Sequence, residues 1–401
     1  MRDLEEGTNG VDLWVDTLCV PARPHAASCT KTNGVLTCRK IAIKRLKETY
    51  QNAAKVLVLD WEIERSRTSS PEETLMRILI SDWMKRLWTL QEARLASRLY
   101  FQFQDRASRA EDTLSSLEMS DFQSLWAEIA EHILPLRGVF NENRDSRGIV
   151  SLWNSFQSRS TSNAGDEAVC LSILLGLDPE QILDTSDDDR MRKLFSMLDI
   201  FPSQIVFMPG PRINHKGYGW APTSFLSRRQ WANGSALHKN QLHHAEAHTM
   251  NLESSLAYRT DSGLLMRSTG FLLKPSKQPH APYFTILDPE NQFLGIAVHM
   301  QDQNSLVWRE MNVECLENLG VLHDGPLDPG AAGLAVLLSG CSVERGIVFA
   351  KFESRLWFGA PQKGQEPPSL SFEKVDEESG LVISEVAIAT ATKPDQMWCI
   401  S

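Results

Sequence analysis

Nowhere in the chain is there an uninterrupted apolar run of roughly 18 residues, the length a membrane-spanning helix requires. The richest stretch, residues 330–340, is shorter and broken by glycine. Cysteine is scarce as well. Seven are scattered over 401 residues, an odd number without framework spacing. That excludes a disulfide-stapled domain and points to free thiols in a reducing compartment. The first twenty residues carry five acids and end in Leu13-Trp14-Val15-Asp16-Thr17-Leu18-Cys19-Val20. They read neither as a secretory signal nor as an Arg-rich transit peptide, so the expected location is cytoplasmic.

The standard chemical signatures are absent too. Gly217-Tyr218-Gly219 lacks the third glycine of a dinucleotide loop, and the 359–364 stretch is followed by Gln365 where a phosphate loop needs Lys. No G-x-S-x-G nucleophile elbow occurs. His243, His244, Glu246 and His248 match neither order of a zinc-binding helix, and a solvated loop is the better reading. Asp187-Asp188-Asp189 lacks the spacing of a calcium loop and reads as a charged helix start. No metal and no bound cofactor are expected.

Charge is uneven. The first 105 residues hold 16 basic against 14 acidic side chains, and the rest hold 25 against 37, for a net charge of −10. Without a clustered basic stripe, nucleic acid is not expected as a partner. The run Arg39, Lys40, Lys44, Arg45 and Lys47 reads as a solvated helix face.

Pattern divides the chain into an α/β domain (1–105), a helical region (106–204) and a β-rich domain (205–401), α+β overall. In the first, residues 13–18 form a compact apolar run suited to a buried strand. A helix follows from about Arg39, then a strand at 56–59 ending at Asp60. Ser70-Pro71 with Glu72 and Glu73 starts another helix. One further helix is expected over 84–96, and alternating Leu99, Phe101 and Phe103 predict a strand. Strands separated by helices predict a parallel sheet. In the middle region, helices are expected at 168–175, after Asp178-Pro179, and at 190–198 with Pro202 closing it. Beyond 205, short runs at 205–208, 264–273, 283–287, 293–299, 334–338, 347–352 and 381–389 predict an antiparallel β domain.

Two places invite chemistry. Cys19 would lie just past the carboxyl end of the first strand, where open α/β sheets place ligands, with His25 as a nearby base. A buried structural thiol is the competing reading. In Trp88-Thr89-Leu90-Gln91-Glu92, Glu92 shares a helical face with Trp88 and Leu95. A carboxylate so flanked is partly desolvated, which raises its pKa and suits acid/base or electrostatic work. The alternative is an ion pair with Arg86, Arg94 or a neighbouring helix.

Three pieces of the first domain resemble the fungal heterokaryon incompatibility (HET) domain. They are residues 13–21 (Leu-Trp-Val-Asp-Thr-Leu-Cys-Val-Pro), Leu46…Tyr50…Ala53 leading into Val56-Leu57-Val58-Leu59-Asp60, and Arg86-Leu87-Trp88-Thr89-Leu90-Gln91-Glu92-Ala93. Downstream, Ser160-Thr161-Ser162, Gly165-Asp166-Glu167, Cys170-Leu171 and 217–222 look like segments that accompany such domains. The family's opening Ser-Tyr-x-Trp-Gly strand has no match, which implies an N-terminally truncated TIR/flavodoxin-like sheet. The HET domain is in turn similar to the TIR domain, whose Trp-Cys-Leu-x-Glu element cleaves the nicotinamide–ribose bond of NAD. Trp88-x-Leu90-x-Glu92 corresponds to it. The resemblance implies self/non-self recognition and programmed cell death by a non-enzymatic module, with protein partners or self-association. It also implies, as the alternative, an NAD glycohydrolase with Glu92 catalytic and Asp16, Cys19 and Trp88 at the substrate.

Overall fold

A computed structural model describes residues 13–21, 32–68, 70–109, 112–113, 146–226, 250, 255–274, 283–290, 293–299, 318–324, 330, 332–360 and 385–401. The fold is α+β, and the chain divides into two compact units. One comprises residues 1–144, 151–197 and 225–234, the other 145–150, 198–224 and 235–401.

The first unit opens differently from expectation. Residues 13–18 are not a strand. A one-turn helix, α1 (Asp16–Cys19), stands there, with Leu13 71% and Leu18 83% exposed. The apolar run has only one large ring in register to bury, Trp14, which packs edge-on against Tyr50 at 5.3 Å. Helix α2 (Thr32–Asn52) follows and buries Ile43, Leu46 and Tyr50, positions three and four apart. Of the basic run on this helix, Lys40 and Lys44 pair with Asp184 and Glu180 at exposed positions. Such surface pairs add little stability.

Strand β1 (Val56–Val58) pairs in parallel with β2 (Leu99–Gln102), and β3 (Ala107–Arg109) adds antiparallel to β2. The sheet is therefore three-stranded and mixed where a wholly parallel one was expected, and 107–109 is strand within a region read as helical. Between β1 and β2 lie α3 (Trp61–Glu64), α4 (Pro71–Ile80), α5 (Asp82–Lys85) and α6 (Thr89–Leu95). Asp60 organises this crossover. One carboxylate oxygen caps α3 by accepting from Glu62 and Ile63 N–H, and the other accepts from Trp83 N–H at 3.0 Å. Ser70 and Pro71 start α4 as the sequence predicts.

The single helix expected over 84–96 is two. Arg86 is extended (φ −82°, ψ 139°) and ends α5. The break lets Ser160 form a parallel bridge with Arg86 and exchange bonds with Lys85 and Leu87. Helices α7 (Ser146–Phe156), α8 (Gly165–Leu174), α9 (Pro179–Leu183) and α10 (Arg190–Ser196) follow. Gly176, at φ 68°, ends α8 in a left-handed conformation, and Asp178 caps α9 with Pro179 at its first position. Asp187-Asp188-Asp189 forms a 3₁₀ turn before α10, and Asp187 pairs with Arg190 at 2.7 Å and Asp189 with Arg192 at 3.0 Å. Two of the three aspartates are thus paired by arginines of the helix that follows. Pro202 does not close α10, which ends at Ser196. It belongs to β4 (Ile200–Pro202) in the second unit.

In that unit residues 205–208 are not a strand either. Ser203–Phe207 is a 3₁₀ turn. Its carbonyls face Arg212, whose guanidinium donates to Ile205, Val206, Met208 and Trp220 carbonyls and lies 4.3 Å from the Phe352 ring. One cation thereby satisfies backbone acceptors that a ladder would otherwise take.

The strands are β5 (Leu256–Thr260), β6 (Gly263–Arg267), β7 (Gly270–Leu273), β8 (Tyr283–Leu287), β9 (Phe293–His299), β10 (Gly320–His323), β11 (Ala332–Glu344), β12 (Ile347–Gly359), β13 (Glu385–Ala391) and β14 (Met397–Ile400). Neighbours run β11-β10-β7-β13-β8-β9-β12, and β12 pairs back with β11, which closes a seven-strand ring. Inside it pack Phe271, Leu273, Ile286, Val321, Leu337, Leu356, Phe358 and Ala389. The order continues from β12 through β14, β6 and β5 to β4. The long β11–β12 hairpin has register shifts at 337/338 and 339/342, where the ladder is irregular. The expected antiparallel domain holds for most pairings, but β12–β14 and β13–β8 are parallel.

Trp220 is fully buried, its indole N–H donating to Gly217 O at 2.9 Å and its ring 4.9 Å from Phe201. Gly219 is required beside it, since a Cβ would sit 2.6 Å from Ser401 O. Trp220→Ala should destabilise this unit by about 3–5 kcal/mol. Denaturant unfolding followed by far-UV circular dichroism measures it.

Candidate functional site

The Trp-Thr-Leu-Gln-Glu element spans the start of α6, and its polar groups turn inward. Trp88 Nε1–H donates to Asp166 Oδ2 at 3.0 Å. The Thr89 hydroxyl bonds the carbonyls of Trp83 (2.6 Å) and Arg86 (2.7 Å). Gln91, fully buried, donates to Cys170 O at 3.3 Å. Glu92 Oε2 accepts the Trp83 indole N–H at 2.9 Å. Two segments distant in sequence, 86–93 and 159–170, therefore interlock.

Arg159 joins them. It is 3% exposed, donates to Arg86 O at 2.7 Å and Thr89 Oγ1 at 2.8 Å, and lies 6.0 Å from the Trp83 ring. Burial lowers its pKa to about 10, so it stays cationic at neutral pH. Arg94 does not pair with Glu92. Its Nη2 donates to the Ser151 and Ser155 hydroxyls.

Glu92 is partly buried. Desolvation pushes its carboxyl pKa up, the Trp83 hydrogen bond opposes that shift, Asp16 adds to it, and Arg86 and Arg159 pull it down. Tyr50 feels the same surroundings: burial first, then the charges of Glu92 and Asp16, hold its phenol far above the usual range. The structure thus brings Asp16, expected at the substrate, into the electrostatic neighbourhood of Glu92 and Tyr50. The other two expected residues go elsewhere. Trp88 is committed to Asp166, and Cys19 is exposed beside a hollow of about 380 Å³ walled by Trp14, Cys38, Ile41, Ala42, Arg45 and Thr49. Glu92 is not among those walls. Because Asp16–Cys19 is a helical turn, Cys19 does not sit at a strand end.

Sequence reading missed Trp83, Tyr50, Asp60 and Arg159. Tyr50 and Asp60 lie inside the resembling motifs and were available as candidates. Arg159 gives no local signal, since its partners are carbonyls and a hydroxyl seventy residues away. His25 and the 243–248 cluster lie outside the described residues. Among the described residues no group of three or more His, Cys, Asp or Glu is arranged to hold a metal, and no helix is long and apolar enough to cross a membrane.

Comparison with known proteins gives no match to a family model, a curated protein or a solved structure.

The raised Glu92 pKa has a definite sign in stability. The folded state holds this proton more tightly than the unfolded chain, so its contribution is present below the ordinary glutamate pKa and is lost as pH rises through the folded value. Relative to Glu92→Gln, wild-type unfolding free energy should fall as pH rises from about 4 toward neutrality. Urea melts of both proteins across that window check it. Arg159→Met should cost roughly 2–3 kcal/mol, as for charged hydrogen bonds lost in a buried site, with Arg159→Lys intermediate. The same melts at one pH measure this.

Proposed function

We propose that the chain is a heterokaryon-incompatibility-type recognition and cell-death signalling module that acts without catalysis. The observation that carries the reading is the commitment of the Trp-Thr-Leu-Gln-Glu element to internal partners. Trp88 and Gln91 bond Asp166 and Cys170 of α8, and Thr89 and Glu92 bond Trp83 of α5, so the motif works as an interlock of α6 with both helices. An element built this way transmits a change at one segment to the other. The TIR-like character of the sheet belongs to this proposal, supported by parallel β1 and β2 joined through helices. Protein partners or self-association, in a fungal cytoplasm, would be its setting.

A second reading has its own observation. Glu92 is a desolvated carboxylate with a raised pKa beside Asp16, Tyr50 and two guanidinium groups, the environment of a functional acid. As an NAD glycohydrolase, the chain would use Glu92 to stabilise the positive charge that develops on the ribose as the nicotinamide bond breaks. NAD would then be a substrate and no cofactor would be held.

Glu92→Gln separates the two. Glutamine keeps an acceptor for the Trp83 indole and removes the charge, so the fold should persist. The module reading expects purified protein to release no nicotinamide from NAD, and fungal cells expressing well-folded Glu92→Gln to die as they do with wild type. Nicotinamide release by wild type, lost together with killing in Glu92→Gln, would establish the hydrolase and overturn the module.

A further inference from the structure

Five cysteines lie in the described residues, and their surroundings sort them sharply. Cys170 is buried, with desolvation pushing its thiol up to about 12. Burial likewise pushes Cys341 up to about 12 and raises Cys399. Thiols so held are poor nucleophiles, because the thiolate is the reactive form. Cys19 and Cys38 are both exposed, and both line the same hollow of about 380 Å³.

Two further observations bring these thiols together. Arg39, the residue after Cys38, donates to Pro21 O at 2.9 Å, which fastens the chain two residues past Cys19 to α2 beside Cys38. Trp14, five residues before Cys19, packs on Tyr50 of the same helix. The segment 13–21 is therefore pinned to α2 on both sides of Cys19. Arg45 is a further wall of the hollow.

We propose that Cys19 and Cys38 are a redox modification site, closing into a reversible intramolecular disulfide when a low-molecular-weight disulfide of the glutathione type is the oxidant. One thiolate attacks a sulfur of the oxidant and expels the first small thiolate, leaving a mixed disulfide. The second thiolate attacks the protein sulfur of that mixed disulfide, forms the Cys19–Cys38 bond and expels the second small thiolate. Two protein thiols lose two electrons and two protons, and one small disulfide becomes two small thiols. Closure needs Cα atoms about 4.4–6.8 Å apart. Cys19 stands on a one-turn helix and not in a ladder, so it can adjust to that span without breaking strand pairing. Transient disulfides of this kind are the form in which cytosolic thiols report redox state.

The bond would lock the segment bearing Trp14 and Asp16 over Tyr50 and Glu92. Only this consequence depends on a role for Glu92, and the cross-link itself does not.

Full-length protein is incubated with oxidised glutathione, blocked with an alkylating agent and mapped by mass spectrometry with fragmentation that separates Cys19 from Cys29. Wild type should lose two alkylatable thiols and two hydrogens and yield a Cys19–Cys38 linked peptide, reversed by dithiothreitol. Cys29→Ser should retain the link, while Cys19→Ser and Cys38→Ser should each lack it and accumulate the mixed disulfide on the remaining thiol. Both positions being exposed, the serine variants should melt as wild type does. Phenylarsine oxide, which bridges neighbouring thiols, should protect two cysteines in wild type and Cys29→Ser and neither in the other two. Independent glutathionylation of Cys19 and Cys38 in wild type, or a link running through Cys29 or Cys315, would overturn the proposal. Whether oxidation alters NAD turnover or killing is read separately, so failure of either functional reading leaves the mapping result standing.

Discussion

A buried guanidinium holds the first unit together. Arg159 enters from the segment before α8 and finds two acceptors, Arg86 O and Thr89 Oγ1, that exist only because the chain breaks between α5 and α6. A continuous helix over 84–96 would have used the Arg86 carbonyl in its own ladder. Breaking it frees that acceptor, opens Lys85 and Leu87 to Ser160, and rotates α6 so that Trp88 meets Asp166 and Gln91 meets Cys170. A charge this deep needs acceptors, and Arg159 Nη1 finds them in one backbone carbonyl and one hydroxyl oxygen. The cation is also what offsets, in part, the desolvation of Glu92.

The second unit meets the same constraint with the same residue type. Arg212 collects the Ile205, Val206 and Met208 carbonyls in and just after the Ser203–Phe207 turn, and the Trp220 carbonyl as a fourth. In both units a segment that reads as regular structure by hydrophobic pattern is bent out of it by a guanidinium able to take several acceptors at once. Pattern reports which side chains want burial, and it says nothing about a distant cation that makes an irregular backbone affordable.

That accounts for what the sequence could and could not say. Capping chemistry is local, so Ser70-Pro71, Asp178-Pro179 and Gly176 mark helix ends where the structure has them. Alternation is local too, and β2, β8, β9 and the hairpin β11–β12 follow from it. Residues 13–18 failed because an apolar run needs a partner to become a strand. Only Trp14 found one, a ring, and not a ladder. Ring closure through β11–β12, and the parallel pairs β12–β14 and β13–β8, depend on neighbours tens of residues away and leave no mark on any single strand. At the site, Glu92 was legible as a half-desolvated carboxylate. Its actual partner, Trp83, lies nine residues earlier on a different helix, a pairing that appears only once the break at Arg86 is known.

The chemistry open to Glu92 follows from this geometry. To stabilise positive charge on a ribose, the carboxylate has to be ionised and has to reach a ligand. Desolvation and the charge of Asp16 work against ionisation, while Arg86, Arg159 and the Trp83 hydrogen bond work for it, and the first effect is the larger. The hollow beside Cys19 and Cys38 has walls that do not include Glu92. A shift of segment 13–21 away from Tyr50 would change both conditions together, since it would carry Asp16 off and hydrate the carboxylate. The position of that segment is thus the physical variable that sets the charge balance around Glu92.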